Sequence, residues 1–251
     1  MSPALLEAAG LRKNFGALCA TDDVSLAIRA GEVHALIGPN GAGKTTLVGQ
    51  LTGELAPDAG VVRFAGRDIT GLSTAERARL GLARTFQISS VFHSFSAAGN
   101  VALAVQATRP HSFRFWTRAD RIDELRRPAY RLLDQLGLSG RSEVVAAGLS
   151  HGEHRQLELA MALAGHPAML LLDEPMAGLG SEETQAMTAL MEQLKSRTTI
   201  LLIEHDMDVV FSLADRISVL VAGRIIVTGT PDEIRAHPEV RAAYLGEDDD
   251  A

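Results

Sequence analysis

Apolar runs just long enough for single strands mark the first and last thirds of the chain. The run at 169–172 has no polar position, which is typical of a strand that a sheet buries on both faces. Such runs, separated by helical stretches, favour a largely parallel sheet. The predicted strands cover residues 5–11, 24–28, 32–37, 61–64, 169–172, 198–203, 216–221 and 224–228.

The middle of the chain has helical spacing instead. From residue 97 to about residue 164, apolar positions recur every three or four residues, and this spacing predicts packed helices. The further predicted elements are helices at 43–51 and 182–195, and turns at Asp22-Asp23, at 57–60 and at Ala222-Gly223.

The order of these elements predicts one α/β domain, residues 1–251, with a helical insertion. Residues 1–87 and 167–251 are expected to form the core, and residues 88–166 the insertion. The length suits one compact domain or two small ones.

Composition narrows the choice of partners. The formal net charge of -7 gives no reason to expect nucleic acid held by bulk charge. The single cysteine, Cys19, excludes an internal disulfide. The longest apolar runs fall well short of the ~20 residues that a membrane helix needs, so a role at a membrane requires a partner.

Residues 38–46, here called the phosphate loop, carry the strongest chemical signal. They join a predicted strand to a predicted helix and fit G-x-x-x-x-G-K-[ST], whose glycines let backbone amides cradle phosphate oxygens. The helix adds its positive N-terminal end. Lys44 is predicted to reach the β- and γ-phosphates, and the Thr45 hydroxyl to bind Mg²⁺. The loop consists of Gly38, Pro39, Asn40, Gly41, Ala42, Gly43, Lys44, Thr45 and Thr46.

Two carboxylates follow the apolar run at 169–172. Asp173 and Glu174 lie at the carboxyl end of a predicted strand, where open α/β sheets bind their ligands. Asp173 is predicted to hold the Mg²⁺ shell and Glu174 to polarise the attacking water. A strand end capped by solvated acids is the alternative, but it does not account for the accompanying phosphate loop.

Residues 149–153, here called the signature loop, precede a predicted helix. Ser150 with Glu153 three positions later is the pattern of a capping box. A serine hydroxyl and the bare backbone of Gly152 at a helix start also make an anion site. The residues alone leave both interpretations open.

Together these motifs have the order and spacing of the ABC ATPases, and the chain resembles that family over residues 5–246. The resemblance implies a P-loop NTPase (RecA-like) core with a mostly parallel sheet, an antiparallel β subdomain and an inserted α-helical subdomain. It implies ATP and Mg²⁺ as cofactors. It also implies a dimer, with an identical or a different second ATPase subunit, in which Ser150, Gly152 and Glu153 of one subunit complete the ATP site of the other.

The same resemblance assigns three further residues. Gln87 looks like the glutamine that touches the metal, His205 like the histidine that contacts the γ-phosphate, and Phe15 like the aromatic that stacks on adenine. Catalysis is thereby assigned to Glu174, His205 and Gln87, and metal binding to Thr45, Gln87 and Asp173. Without the resemblance, His205 also fits an ion-paired surface histidine and Phe15 a core side chain.

Two positions depart from the family pattern. His151 stands where the common signature has glycine, so its side chain either points away from the phosphate or titrates beside it. We expect the first, because Gly152 still allows a close backbone approach. Gly180 stands where many members have aspartate, which puts a contact between the two ATP sites in question.

No membrane spans are expected, so the resemblance implies a separate, peripheral subunit at the cytoplasmic face of the membrane. Its partners would be integral permease subunits and, indirectly, an external binding protein, with no nucleic acid. Residues 149–153, 176–179, 203–207 and 238–246 look most like the ATPases of branched-chain and hydrophobic amino-acid importers. Urea importers and the lipopolysaccharide-export ATPase share much of this pattern.

Two questions stay open at this level. A soluble ATP-dependent regulator and a P-loop kinase are alternatives from other classes, although a kinase would leave the signature loop without a purpose. Residues 109–121 interleave aromatic side chains with arginine. This stretch fits a partner-docking loop, a self-packed loop or, less well, a base-stacking surface.

Overall fold

The computed structural model describes residues 4–85, 91–108, 123–195 and 197–241. Gln87 and the whole stretch 109–121 therefore lie outside the described residues. Strands and helices follow one another as β1 (Ala4–Phe15), β2 (Leu18–Arg29), β3 (Val33–Ile37), α1 (Lys44–Thr52), β4 (Ala59–Phe64), β5 (Arg67–Asp68), α2 (Thr74–Arg79), β6 (Leu82–Arg84), α3 (Ala97–Ala107), α4 (Asp123–Gln135), α5 (His151–Leu163), β7 (Met169–Asp173), α6 (Ser181–Lys195), β8 (Thr199–Ile203), α7 (Met207–Leu213), β9 (Arg216–Val221), β10 (Arg224–Gly229), α8 (Pro231–Ala236) and α9 (Pro238–Val240).

The chain divides into two compact units, residues 1–77 with 191–251, and residues 78–190. The α/β class predicted from the sequence is confirmed, with both parallel and antiparallel strands between helices. The predicted boundaries of core and insertion, at 87 and 167, stay a prediction. None of the helices among the described residues is both long and apolar enough to cross a bilayer.

The first unit contains an antiparallel sheet in the order β2-β1-β4-β5 and a second set of strands in the order β10-β9-β3-β8. In the second set β3 runs parallel to both β8 and β9, and all five of its residues are buried. Helices α7 and α8 cover β3 and β9 through a core that includes Ile37, Val210, Ile217 and Ile234. Burial on both faces is what the apolar runs predicted.

The predicted turn at Asp22-Asp23 is wrong. Both residues lie inside β2, and the turn between β1 and β2 falls at residues 16–17. Leu11 pairs with Val24 and Lys13 with Thr21, so β2 has one more residue than β1 between these pairs. The two aspartates therefore form a β-bulge, with Asp23 at φ 58. A turn and a bulge share the preference for small polar residues that tolerate positive φ, so the sequence does not separate them.

A buried arginine fixes the far end of α1, the helix that follows the phosphate loop. Arg77 on α2 is 1% exposed, and its Nη1 donates to the carbonyls of Gln50 and Leu51 at 2.7 and 2.6 Å. These carbonyls belong to the last turn of α1, where cations are favoured by the helix dipole. Burial lowers the pKa of Arg77 from its ordinary value, opposed by the charge of Asp68.

The second unit contains β6 paired in parallel with β7, and a layer of three helices, α3, α4 and α5, that pack against one another. Ser96 caps α3 by accepting a hydrogen bond from the amide of Gly99. The apolar positions that predicted helices in this region are buried where they are described: Val101, Val105, Leu125, Leu132, Leu133 and Leu136.

Candidate functional site

The phosphate loop lies in the first unit, between the buried strand β3 and helix α1. Two of its three glycines, Gly38 and Gly43, are required by neighbouring backbone. A Cβ on Gly38 would lie 2.1 Å from the carbonyl oxygen of Leu220, and one on Gly43 would lie 2.2 Å from that of Ala20. Gly43 also has φ 103, in the region that side chains disfavour. Backbone packing therefore sets the shape of this loop.

A hairpin turn supports the loop from one side. Gly223, between β9 and β10, donates its amide to the Ala42 carbonyl at 2.9 Å, and its own carbonyl accepts from the Asp22 amide at 2.8 Å. Ala222 and Gly223 both have positive φ, 47 and 77, as a two-residue hairpin turn demands. Arg224, the next residue, is ion-paired with the Asp22 carboxylate. The sequence predicted this hairpin but gave no sign that it holds the phosphate loop.

Helix α1 presents an uncapped start. Its N-cap is Gly43, so no side chain accepts a hydrogen bond from the first amides of the helix. These amides and the helix dipole favour an anion. The Lys44 ammonium donates to the carbonyls of Gly38 and Pro39 at 2.5 and 3.0 Å, which brings its charge back over the loop. Thr45 in the same turn is exposed.

Phe15 ends β1 with half of its surface exposed (50%), and Leu18 opposite it is 66% exposed. The Lys13 ammonium lies 5.9 Å from the centre of the Phe15 ring. The structure thus places Phe15 outside the core, in contrast to the alternative that the sequence allowed. An exposed aromatic face is available for stacking.

His205 follows β8 on the turn into α7. Since β3 and β8 are parallel, with Leu36 opposite Ile203, His205 and the phosphate loop both lie at the carboxyl ends of neighbouring strands. The imidazole is 66% exposed, with its Nδ1 3.7 Å from a carboxylate oxygen of the buried Glu204. Asp206 caps α7 by accepting from the amides of Asp208 and Val209.

The carboxylates predicted for metal binding and hydrolysis lie in the second unit, where β7 ends. Asp173 is 8% exposed, and its Oδ2 accepts from Nη2 of Arg84 on the neighbouring β6 at 2.7 Å. Glu174 has φ 49, a left-handed conformation that is uncommon for a residue with a long side chain. Such a conformation often occurs at functional sites. The sequence did not identify Arg84 as the ion-pair partner of Asp173.

The signature loop also lies in the second unit and forms the capping box that its spacing predicted. Ser150 Oγ accepts from the Glu153 amide at 3.2 Å, and Glu153 Oε2 accepts from the Ser150 amide at 2.8 Å. Arg141 also holds Glu153, at 2.7 Å. Burial raises the pKa of Glu153, but the hydrogen bond from Ser150 and the charge of Arg141 outweigh it, so the pKa is below its ordinary value. Gly152 is buried beside them.

No three histidine, cysteine, aspartate or glutamate side chains converge into a metal cluster within the described ranges. The predicted ligands Thr45 and Asp173 instead offer a hydroxyl and a carboxylate, hard oxygen donors of the kind that Mg²⁺ takes when substrate phosphates supply the rest of its shell. Each of the two side chains, taken by itself, is therefore of a type that Mg²⁺ binds. Gln87, the third predicted ligand, lies outside the described residues.

Two family models match separate parts of the chain. A family model described as ABC transporter matches residues 21–177, and one described as Branched-chain amino acid ATP-binding cassette transporter matches residues 224–250. The high-affinity branched-chain amino acid transport ATP-binding protein BraF of Pseudomonas aeruginosa is 40% identical over 98% of this chain and 100% of its own length. The lipopolysaccharide export system ATP-binding protein LptB of Acidithiobacillus ferridurans is 38% identical over 97% of each chain.

Solved structures agree with the sequence comparison. A crystal structure of an ATP-binding cassette of an ABC transporter in its ADP conformation matches with a TM-score of 0.87 and 31% identity, over 98% of this chain and 100% of that chain.

Proposed function

The chain belongs to the ABC transporter family, and from that premise we propose that it is the ATP-hydrolysing subunit of an importer for branched-chain or other hydrophobic amino acids. The observation that carries the ATPase part is the phosphate loop, whose glycines are fixed by backbone at 2.1 and 2.2 Å. The match of residues 224–250 to the branched-chain family model supports the substrate class.

ATP is proposed to bind with its phosphates against the amides of residues 38–46 and the start of α1. Lys44 then exchanges its carbonyl contacts for phosphate oxygens, and Phe15 stacks on the adenine. Thr45, Asp173 and Gln87 are the proposed ligands of Mg²⁺. When bound, the ion neutralises charge that develops on the phosphates.

Hydrolysis is proposed to use Glu174 as the base that orients and deprotonates the attacking water. His205 donates a hydrogen bond to the γ-phosphate from its exposed position after β8. Gln87 is proposed, from the family resemblance, to touch the metal. Arg84 holds the Asp173 carboxylate in place, so that Glu174, the next residue, starts from a fixed backbone.

A second ATPase subunit is proposed to complete the site. Ser150 and Gly152, together with Glu153 as the cap that orients Ser150, would face the γ-phosphate bound to the partner. The uncapped α1 start and the capped α5 start then act on the same phosphate from the two subunits. The partner is either a second copy of this chain or a related ATPase.

The dimer is proposed to act on integral permease subunits from the cytoplasmic face of the membrane, as a peripheral subunit. ATP binding closes the dimer, closure moves the permease, and hydrolysis opens it again. A binding protein outside the membrane would deliver the amino acid.

Lipid or lipopolysaccharide export is the second candidate, because LptB is nearly as similar as BraF. Reconstitution in proteoliposomes distinguishes the two. The chain is assembled with an amino-acid permease pair from its own source, and phosphate release is measured with and without leucine-loaded binding protein, with Glu174→Gln as the control.

We expect loaded binding protein to raise the turnover of the wild-type complex and to leave the Glu174→Gln complex silent. Turnover that ignores the loaded binding protein, and that rises only with a lipopolysaccharide-export permease, would contradict the importer assignment. Full turnover of the chain alone, unchanged by any permease, would favour a soluble regulator.

A further inference from the structure

The loop that follows β7 is held by the signature loop of the same chain, through a residue that departs from the common pattern. Residues 174–180, here called the base loop, contain the proposed base Glu174. The base loop makes two tight turns, in which Ala177 donates its amide to the Glu174 carbonyl and Leu179 donates to that of Met176, both at 3.1 Å. These internal hydrogen bonds fix the shape of the base loop, but not its position relative to the signature loop.

His151, the first residue of α5, supplies the first contact from outside. Its Nε2 lies 3.2 Å from the carbonyl oxygen of Ala177. A carbonyl can only accept, so Nε2 carries the hydrogen of this bond, whichever charge the ring has. The ring therefore turns to the base loop, as a donor with one defined nitrogen.

Gly178 makes this contact possible. A Cβ at this position would lie 2.9 Å from Nε2 and 3.3 Å from Cδ2 of His151, and the residue has φ 78. The imidazole thus packs directly on the backbone of Gly178. A side chain at 178 would therefore displace the ring from this position, and the positive φ favours glycine there as well.

Glu183 of α6 supplies a second contact between the same two loops. Its Oε2 accepts from the Gly180 amide at 3.2 Å, and its Oε1 lies 2.6 Å from where a Cβ on Gly152 would stand. Gly180 itself has open space around its Cα. Glu183 therefore holds the Gly180 backbone and packs against Gly152, the residue after His151.

We propose that His151 is a positioning residue, which locks the base loop to the signature loop so that Glu174 and Ser150 keep one relative geometry. This inference rests on the proposed ATPase function, since it acts through Glu174. It assigns His151 no contact with the nucleotide. Loss of the His151 contact would misplace Glu174 during hydrolysis but would leave ATP binding to the phosphate loop intact.

Two substitutions at His151 separate the hydrogen bond from the bulk of the ring. His151→Leu removes the donor, and His151→Gln keeps an N–H donor at nearly the same reach. His154→Leu, one turn further along α5, is the matched control. The full chain is assayed for steady-state phosphate release, thermal unfolding, and amide exchange of residues 175–180.

We expect His151→Leu to lower kcat roughly three- to tenfold, as loss of one ordinary hydrogen bond would. The KM for ATP should change by less than about twofold, because ground-state binding is untouched. His151→Gln should recover most of the loss, and only His151→Leu should speed amide exchange at 175–180. His154→Leu should match the wild type.

Unchanged kcat and exchange in His151→Leu would overturn the proposal, and so would a His151→Gln variant as impaired as His151→Leu. Equal losses in KM and thermal stability would reduce His151 to a general structural role. The exchange measurement needs no catalysis and no permease. Failure of the importer or base assignment would therefore leave this test of the lock intact.

Discussion

The phosphate loop and the signature loop, with the base loop beside it, achieve a fixed shape by different means. In the phosphate loop, backbone packs on backbone, and Gly38 and Gly43 admit no side chain. In the signature and base loops, exposed or half-buried side chains make hydrogen bonds to backbone instead. His151 donates to a carbonyl, and Glu153 and Glu183 each accept from an amide. Backbone packed against backbone can be displaced only at a high cost in free energy. Each side-chain hydrogen bond, by contrast, contributes only about 0.5–1.5 kcal/mol.

The difference indicates a division of labour. The region proposed to hold the phosphates is preformed, so little of the binding free energy would be spent on ordering it. The region proposed to carry the base and to meet the partner subunit can adjust at small cost. Substitutions in the first region should therefore change ATP affinity, and substitutions in the second should change turnover.

Among substitutions in the signature and base loops, Glu174→Gln is expected to have the largest effect. Loss of the base should lower kcat by about 10²- to 10⁴-fold, the range for general acid–base catalysis. The Kd for ATP should stay within about twofold of the wild type, because the phosphate loop is unchanged. Phosphate release and titration with a fluorescent ATP analogue measure the two quantities, with Glu192→Gln on the exposed face of α6 as the control. Wild-type turnover in Glu174→Gln would remove Glu174 from the mechanism.

Among substitutions in and around the phosphate loop, Gly38→Ala is expected to have the largest effect. The new Cβ would lie 2.1 Å from the Leu220 carbonyl, so β9 or the loop must move. We expect ATP affinity to fall tenfold or more, a loss of at least about 1.4 kcal/mol. Gly71→Ala, where the Cβ meets nothing within 4 Å, is the matched control. Affinity equal to that of the control in a folded Gly38→Ala variant would show that the loop tolerates displacement.

A smaller effect should follow from Gly223→Ala in the supporting hairpin. Gly223 and Gly66 have nearly the same φ, 77 and 76, so alanine costs both about 1–2 kcal/mol of backbone strain. Only at Gly223 does the new Cβ also meet backbone, the Ala20 carbonyl at 3.0 Å. Both variants should lose similar stability in thermal unfolding. Only Gly223→Ala should lose ATP affinity, roughly threefold by the scale on which 1.4 kcal/mol is tenfold. Equal affinities would mean that the hairpin does not support the loop.

The smallest effect concerns pH and the cap of the signature loop. The pKa of Glu153 is lowered in the fold, so its ionised form contributes stability above its unfolded pKa of about 4.3, and this is lost as pH falls through the folded pKa. Glu153→Gln should therefore cost less than about 1 kcal/mol at pH 7, since the carboxylate is partly solvated. The difference from wild type should shrink as the pH falls below about 4.3 and through the lowered folded pKa. Urea unfolding across this pH range measures it, and a constant difference would contradict the ionic role.

Local patterns predicted much of the molecule, because their causes are local. The glycine spacing of the phosphate loop, the apolar run that becomes β7 and the capping box at Ser150 each depend on residues a few positions apart. The bulge at Asp22-Asp23 was mistaken for a turn because both accept the same residues. Contacts distant in sequence had no local sign, such as Gly223 supporting Ala42.

Contacts between buried polar side chains were also not predicted from the sequence. His34 lies inside an apolar run, yet its ring bonds Glu32 at 3.1 Å and Ser218 at 2.8 Å while fully buried. Arg84 gave no sequence signal either, because only the fold brings β6 beside β7 and its guanidinium to Asp173. The direction of His151 likewise depended on a glycine 27 positions later, at 178.

The central claim is that the phosphate loop of one subunit is completed by the signature loop of another. The most direct measurement is the molar mass of Glu174→Gln, by light scattering after gel filtration, with and without ATP. We expect ATP to trap a dimer, in the presence of a partner ATPase if this chain pairs with a different subunit. We expect Ser150→Arg in the same background to remain monomeric while still binding ATP, because the arginine blocks the face that Ser150 presents. A Glu174→Gln/Ser150→Arg variant that dimerises with ATP as readily as Glu174→Gln would contradict the shared site.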